Sequence, residues 1–216
     1  MLLVRYEQRD NEDVRTPRDD LRVPRRVLKE SEDDRRGTEV LPNPNQIMGA
    51  RLTRDKTLVY AYPVFHPGRE RPDWAVNECD ADYDDMALAM RAAHDSGVWV
   101  AVIDPDPPNP KKARIPKHQR KMFHEILSMT GINGIKIPEE AWLQSIIGVN
   151  GRGVPRGREE RVAGTKAAAT AFIREQSGNP TIPPITDERE AAVVCMSIFG
   201  QGLAAAQFRQ LQEKTG

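Results

Sequence analysis

VWVAVI, residues 98–103, is the stretch on which the fold turns. A short, unbroken apolar run rich in valine reads as a strand covered on both faces, and turn residues bound it on both sides. Gly97 precedes it, and DPDPPNP (residues 104–110) follows as a stiff connector that no regular element can contain. Upstream, TLVYAYPVF (residues 57–65) is β-branched and aromatic and reads as a second strand. Pro63 puts the end of that strand at a sheet edge or bulge, and His66-Pro67-Gly68 closes it. Between the two, Met86, Ala89, Met90 and Ala93 recur at helical spacing over residues 82–96, with Gly97 as the C-cap. Strand, helix, strand in that order permits a right-handed crossover, and an antiparallel pairing stays open.

Working outward toward the C-terminus, the pattern turns helical. Pro116 opens a helix to about residue 129, carrying Met122, Phe123, Ile126 and Leu127 on one side. Residues 130–136 read as a glycine-containing turn, and Pro138 starts a short helix over 139–147. VNGRGVPRGREER (residues 149–161) is a flexible, arginine-bearing joint. Two alanine-rich helices follow, over residues 159–176 and from Thr186 to about residue 213. From Ala191 to Ala206 the last helix is small or apolar nearly all round, so it must be buried on every side. That requires the centre of the fold or a face against another subunit.

Toward the N-terminus, residues 1–46 form a charged arm in which clusters such as Arg18-Asp19-Asp20 and Asp33-Asp34-Arg35-Arg36 alternate in sign. Pro17 and Pro24 break any long helix there, and the composition is too polar to fold alone. The expected fold class is α+β. It has an extended charged N-terminal arm (1–46), a small two-strand, βαβ-like mixed part (47–104) and a predominantly helical domain (105–216).

Lys plus Arg equals Asp plus Glu at 32 each, so no global field draws the chain to nucleic acid, membrane or acidic ligands. The apolar start Met1-Leu2-Leu3-Val4 is too short for a signal peptide, and nothing reaches the length of a membrane span. Two distant cysteines, Cys79 and Cys195, are no disulfide framework and suit a reducing compartment; the expected location is cytoplasmic or, for a coat-like subunit, a virion-like assembly.

Four features could carry chemistry. The acidic run around Asp80 and Asp82 fails as an EF-hand, because the glycine and glutamate positions hold Asp85 and Arg91. As a helix start its acids complement the dipole; as a loose carboxylate pair they could hold a divalent ion. Asp104 ends a strand, where open α/β sheets place active groups, and Asp106 makes a D-x-D pair with it. Both aspartates also precede prolines, an ordinary turn start. Two basic clusters complete the set: Lys111, Lys112, Arg114, Lys117, Arg120 and Lys121, and Arg152, Arg156, Arg158 and Arg161 of the joint. Facing one groove, they would track a nucleic-acid backbone without reading bases. The four histidines lack zinc spacing, and no hydrolase elbow or nucleotide loop occurs, so no cofactor is implied.

The layout of arm, helical body and basic groove is that of many viral coat and nucleocapsid proteins. It implies a non-enzymatic, self-assembling structural subunit that forms homo-oligomers or multi-subunit assemblies and meets nucleic-acid phosphates through the two basic clusters. The alternatives are a small divalent-metal-dependent enzyme using Asp80/Asp82 or Asp104/Asp106, and an accessory subunit that touches only protein.

Overall fold

The computed structural model describes residues 45–105, 115–148 and 153–215. Nearly all of the charged arm, and also Asp106, Lys111, Lys112, Arg114 and Arg152, lie outside the described residues. Five strands form one sheet in the order β3-β2-β1-β4-β5. They are β1 (Ile47–Leu52), β2 (Thr57–Val64), β3 (Asp73–Asp80), β4 (Val100–Ile103) and β5 (Asn133–Lys136). The helices are α1 (Tyr83–Asp95), α2 (Lys117–Thr130), α3 (Glu139–Ile146), α4 (Arg158–Ser177) and α5 (Glu188–Thr215). The fold is thus mixed α/β with a helical C-terminal half, and the five helices lie close to where the sequence puts them.

The sheet is wider than the two strands that periodicity marks. β4 is an interior strand next to the central β1: it pairs in parallel with β1 on one side and with β5 on the other. The parallel crossover is therefore β4–α2–β5. β2 and β4 do not touch, because β1 lies between them. β2 runs antiparallel to both β1 and β3, and so it is reversed against the other four strands. Pro63 pairs with Trp74 of β3, past the end of the β1 ladder, which stops at Ala61; its missing N–H is needed on neither side.

Each face of the sheet buries a separate cluster. Met48, Ala50, Leu58, Tyr60, Ala101 and Ile103 meet Met86 and Met90 of α1 and Phe123, Ile126 and Leu127 of α2. Ile47, Val59, Val100 and Val102 point the other way, toward Trp142 of α3, Ala169 and Ile173 of α4, and α5. The alternation along β1 and β4 follows from strand geometry, in which successive side chains leave opposite faces. Residues 191–197 of α5 are all buried, between the sheet on one side and α3 and α4 on the other. Of the two places open to such an apolar stretch, the centre of the fold or a face against another subunit, residues 191–197 take the first.

Two contacts fix α5 on β1. Ser197 Oγ donates to the Ile47 carbonyl at 2.5 Å, across the buried interface. At Gly49 a Cβ would run into the Val193 backbone, so the helix rides on the strand at a distance only glycine permits.

Candidate active site at the carboxyl edge of the sheet

The direction of the strands brings one kind of chemistry to one edge. β1, β3, β4 and β5 all end there, and β2 starts there, since Leu52 pairs with Leu58 and Thr57 with Asp80. Helices α1, α2 and α3 follow strands that end at this edge, so they begin at it. Arg158 and Arg161 of α4, and Glu188 and Arg189 of α5, line the same cleft, which puts the starts of those helices there too. The first turns carry Asp84 and Asp85, Glu139 and Glu140, Glu159 and Glu160, and Glu188 and Glu190. Acids collect here in part because helix N-termini favour them.

The cleft holds about 800 Å³ and opens at the ends of β1 and β4. Arg51, near the end of β1, is at its centre. Its Nε donates to Asp104 Oδ2 at 2.7 Å, its Nη2 to Asp104 Oδ1 at 2.8 Å, and the same Nη2 reaches Glu139 Oε2 at 3.5 Å. The guanidinium carbon is 6.0 Å from the ring centroid of Trp142, which is buried and leaves its indole N–H without a partner. Burial works against the Arg51 charge, but Asp104 and then Glu139 outweigh it and raise its pKa above the ordinary arginine value. The geometry is a two-pronged, planar guanidinium–carboxylate pair, the strongest form such a pair takes.

A second arginine organises the neighbouring acids. Arg189 reaches Asp187 at 3.3 Å, Asp55 in the β1–β2 turn at 3.0 Å, and Glu78 of β3 at 3.5 Å. Asp187 Oδ1 accepts from the backbone N–H groups of Arg189 (2.6 Å) and Glu190 (3.3 Å), which makes Asp187, rather than Thr186, the cap of α5. Burial pushes the Asp187 carboxyl up, but the bonds from Arg189 and those N–H groups win and hold it low. Glu190 goes the other way: burial, then Asp187 and Glu78, raise it against the pull of Arg189.

The basic clusters are only partly brought together. Arg158 and Arg161 line the cleft beside Arg54. Arg158 reaches Glu188 at 3.3 Å, and both side chains are largely exposed. Arg161 donates only to the carbonyls of Pro155 and Arg156, so among the described residues no carboxylate neutralises it. Arg156 is exposed beside it. Lys117, Arg120 and Lys121 belong to α2, in the opposite layer, and do not line the cleft; Lys121 is 3.5 Å from Glu125, one turn along its own helix. Periodicity missed Arg51, Arg54 and Arg189. The available signal was a charge inside IMGARL, a six-residue run that is otherwise apolar.

Of the two carboxylate pairs, Asp80 and Asp82 have ligand oxygens that meet that of Asp85 within 4.8 Å, all three side chains exposed. Asp82 Oδ1 accepts from the Asp85 N–H at 2.9 Å, so it is already the cap of α1. Asp104 is the other case. Both its oxygens are engaged by Arg51, and among the described residues no third acid completes a cation site around it. As the side chains stand, the cleft does not fit a divalent ion at Asp104.

An open, mostly parallel sheet between two helical layers, with its polar cleft at the carboxyl ends of adjacent strands, is the arrangement in which α/β proteins hold their ligands. Comparison of whole structures finds the chain similar in fold to a RuvC structure from Thermus thermophilus, at 7% identity and a TM-score of 0.48. The match covers 75% of this chain and 95% of that one. No protein-family model matches the sequence, and neither does any curated protein.

The expectation of a non-enzymatic, self-assembling coat or nucleocapsid subunit is corrected here. Of its two supports, nearly all of the arm lies outside the described residues, and the last helix is buried over residues 191–197 by this chain's own sheet, α3 and α4. The exclusion of enzymatic activity rested on the same reading and goes with it. Among the described residues no helix is long and apolar enough to cross a membrane.

Proposed function

We propose that the chain is an enzyme acting on phosphate esters of nucleic acid, with the cleft at the carboxyl edge of β1 and β4 as its working site. One observation carries this reading: Asp104 and Glu139 share a single cleft with Arg54, Arg158 and Arg161. Carboxylates and arginines, of which Arg54 and Arg161 have no carboxylate partner among the described residues, are the two halves of phosphoryl chemistry, one to handle protons and the other to hold charge.

The roles follow from the contacts. Arg161 lacks a carboxylate partner and lies in the first turn of α4, where backbone N–H groups also favour an anion. With Arg54 and Arg158 it holds the backbone phosphates. Glu139 is more than half exposed and among the described residues has only the long contact to Arg51, which leaves it able to accept a proton. Water, losing that proton to Glu139, attacks phosphorus; the ester oxygen leaves and takes a proton from solvent. Asp104 is a positioning residue, because it acts by fixing Arg51. Arg156 lies outside the cleft lining beside Arg161 and extends the phosphate track, whereas Lys117, Arg120 and Lys121 lie on the opposite layer and have no part in it. The thiols of Cys79 and Cys195 are both free and suit a reducing compartment.

The test is cleavage of end-labelled single-stranded and duplex DNA and of RNA, with binding measured in parallel. Glu139→Gln should leave binding intact and lower turnover by about 10²–10⁴-fold, the range for loss of a general base. Absence of any binding, or cleavage unchanged in Glu139→Gln, would sink the reading.

A further inference from the structure

We propose that Arg51 takes, at Asp104 and Glu139, the place a divalent cation would need, so that this cleft is centred on a fixed guanidinium and not on a metal ion. The inference rests on the cleft being the working site, but it concerns which cation the cleft contains.

Three observations carry it. First, the two carboxylates come from different elements, the end of β4 and the start of α3, and Arg51 from a third, the end of β1; such convergence on one point is what a bound cation imposes. Second, Arg51 engages both oxygens of Asp104, at 2.7 and 2.8 Å, so a metal ion at this carboxylate would have to compete with the guanidinium for each of them. Third, the guanidinium is not a loose surface group. Its side chain is only 20% exposed, and Trp142 lies 6.0 Å from it. Arginine also keeps its charge at any ordinary pH, and displacing it would leave a part-buried cation unpaired.

The third amine of Arg51 has a use. Among the described residues Nε and Nη2 make all of its hydrogen bonds, so Nη1 has no acceptor among them. A guanidinium held on two sides by carboxylates and with one free amine is preorganised for an oxyanion, as a metal ion would be. The structure therefore predicts a cleft that gains affinity for divalent ions when Arg51 is removed.

Bound Mn²⁺ counted by electron paramagnetic resonance, together with the melting temperature in millimolar Mn²⁺, tests this on the full chain. Wild type and Asp104→Asn should bind the same number of ions, any at Asp80, Asp82 and Asp85 being common to both. Arg51→Asp, which would put a third carboxylate beside Asp104 and Glu139, should bind one ion more and melt higher in Mn²⁺ than without it. The double variant Arg51→Asp/Asp104→Asn should lose that ion. Arg51→Asn is the milder replacement if the aspartate variant does not fold, with the same expected gain. An ion that wild type holds and Asp104→Asn loses would overturn the proposal. So would folded Arg51 variants that gain none. Neither result depends on turnover, so it stands apart from the cleavage assay.

Discussion

At the scale of single residues, the site is built from charges whose partners decide their use. Arg161 and Arg54 are the cations of the cleft without a carboxylate partner among the described residues, and their effect on nucleic acid should be electrostatic. Arg161→Ala with Arg54→Ala should weaken binding across all sequences and flatten the slope of log affinity against log salt by about one unit per lost phosphate contact, as titration at several ionic strengths would show. Asp187 has a different job. Its carboxyl is held below the ordinary carboxylate range by Arg189 and by the N–H groups it caps, against the upward push of burial. A carboxyl held low in the folded state adds stability that is present at neutral pH and lost as pH falls through that lowered value. Asp187→Ala should cost about 1 kcal/mol at pH 7, the usual worth of a helix cap, and less in acid. Glu190 runs oppositely: raised in the folded state, it favours folding at low pH and loses that contribution as pH rises. Glu190→Gln should therefore leave acid stability unchanged and raise stability at neutral pH, as denaturant midpoints at two pH values would show.

Elements show how much of the molecule was legible beforehand. All five helices could be read: α1 and α2 because Met86, Met90, Phe123 and Ile126 recur at helical spacing, α3 from Pro138 and its early acids, and α4 and α5 from their small and apolar residues between turn signals. β2 and β4 were legible too, being dense in apolar residues. β1 was not: Gly49 and Arg51 interrupt IMGARL, and both are there for partners distant in sequence, Val193 and Asp104. β5, NGIK, reads as a turn because pairing with β4, not its own composition, makes it a strand. The candidate site was legible at Asp104 and in the arginines of the joint. It was invisible at Arg51 and Arg189, since an arginine beside a short strand or inside a helix start looks like solvent-facing charge until its acids arrive. Gly49→Ala tests the closest of these long-range fits. It should destabilise by about 1–3 kcal/mol through overpacking. Ser197→Ala, which strips the donor from a buried carbonyl, should cost about 1 kcal/mol more independently of charge or salt. Thermal melts would show both.

For the molecule as a whole, the two helical layers enclose one sheet, and what they bury sets the limits of its stability. Burial drives the Cys195 thiol up to about 12, and burial with Asp85, Asp82 and Asp80 takes Cys79 to about 11. Tyr60 stands at about 12 by burial, with Cys79 and Tyr62 adding to it. Each is a group whose proton the folded state holds more tightly than the unfolded one. Their contribution is complete below about pH 9 and drains away as pH climbs through 11 and 12. Melting temperature should fall over that range, and Cys195 should react with a thiol reagent only as fast as the fold opens. The contact between Ser197 and Ile47 has one more consequence, and it concerns time. The two residues are 150 positions apart, and the helix that covers the central strand is the last element of the described chain. During synthesis β1, β2 and β4 can meet and gain α1 and α2 on one side, while their other face stays wet and adhesive until α5 leaves the ribosome. Long-range closure of this kind folds slowly, and for as long as synthesis of the C-terminal half takes, the nascent sheet is exposed to aggregation on that face.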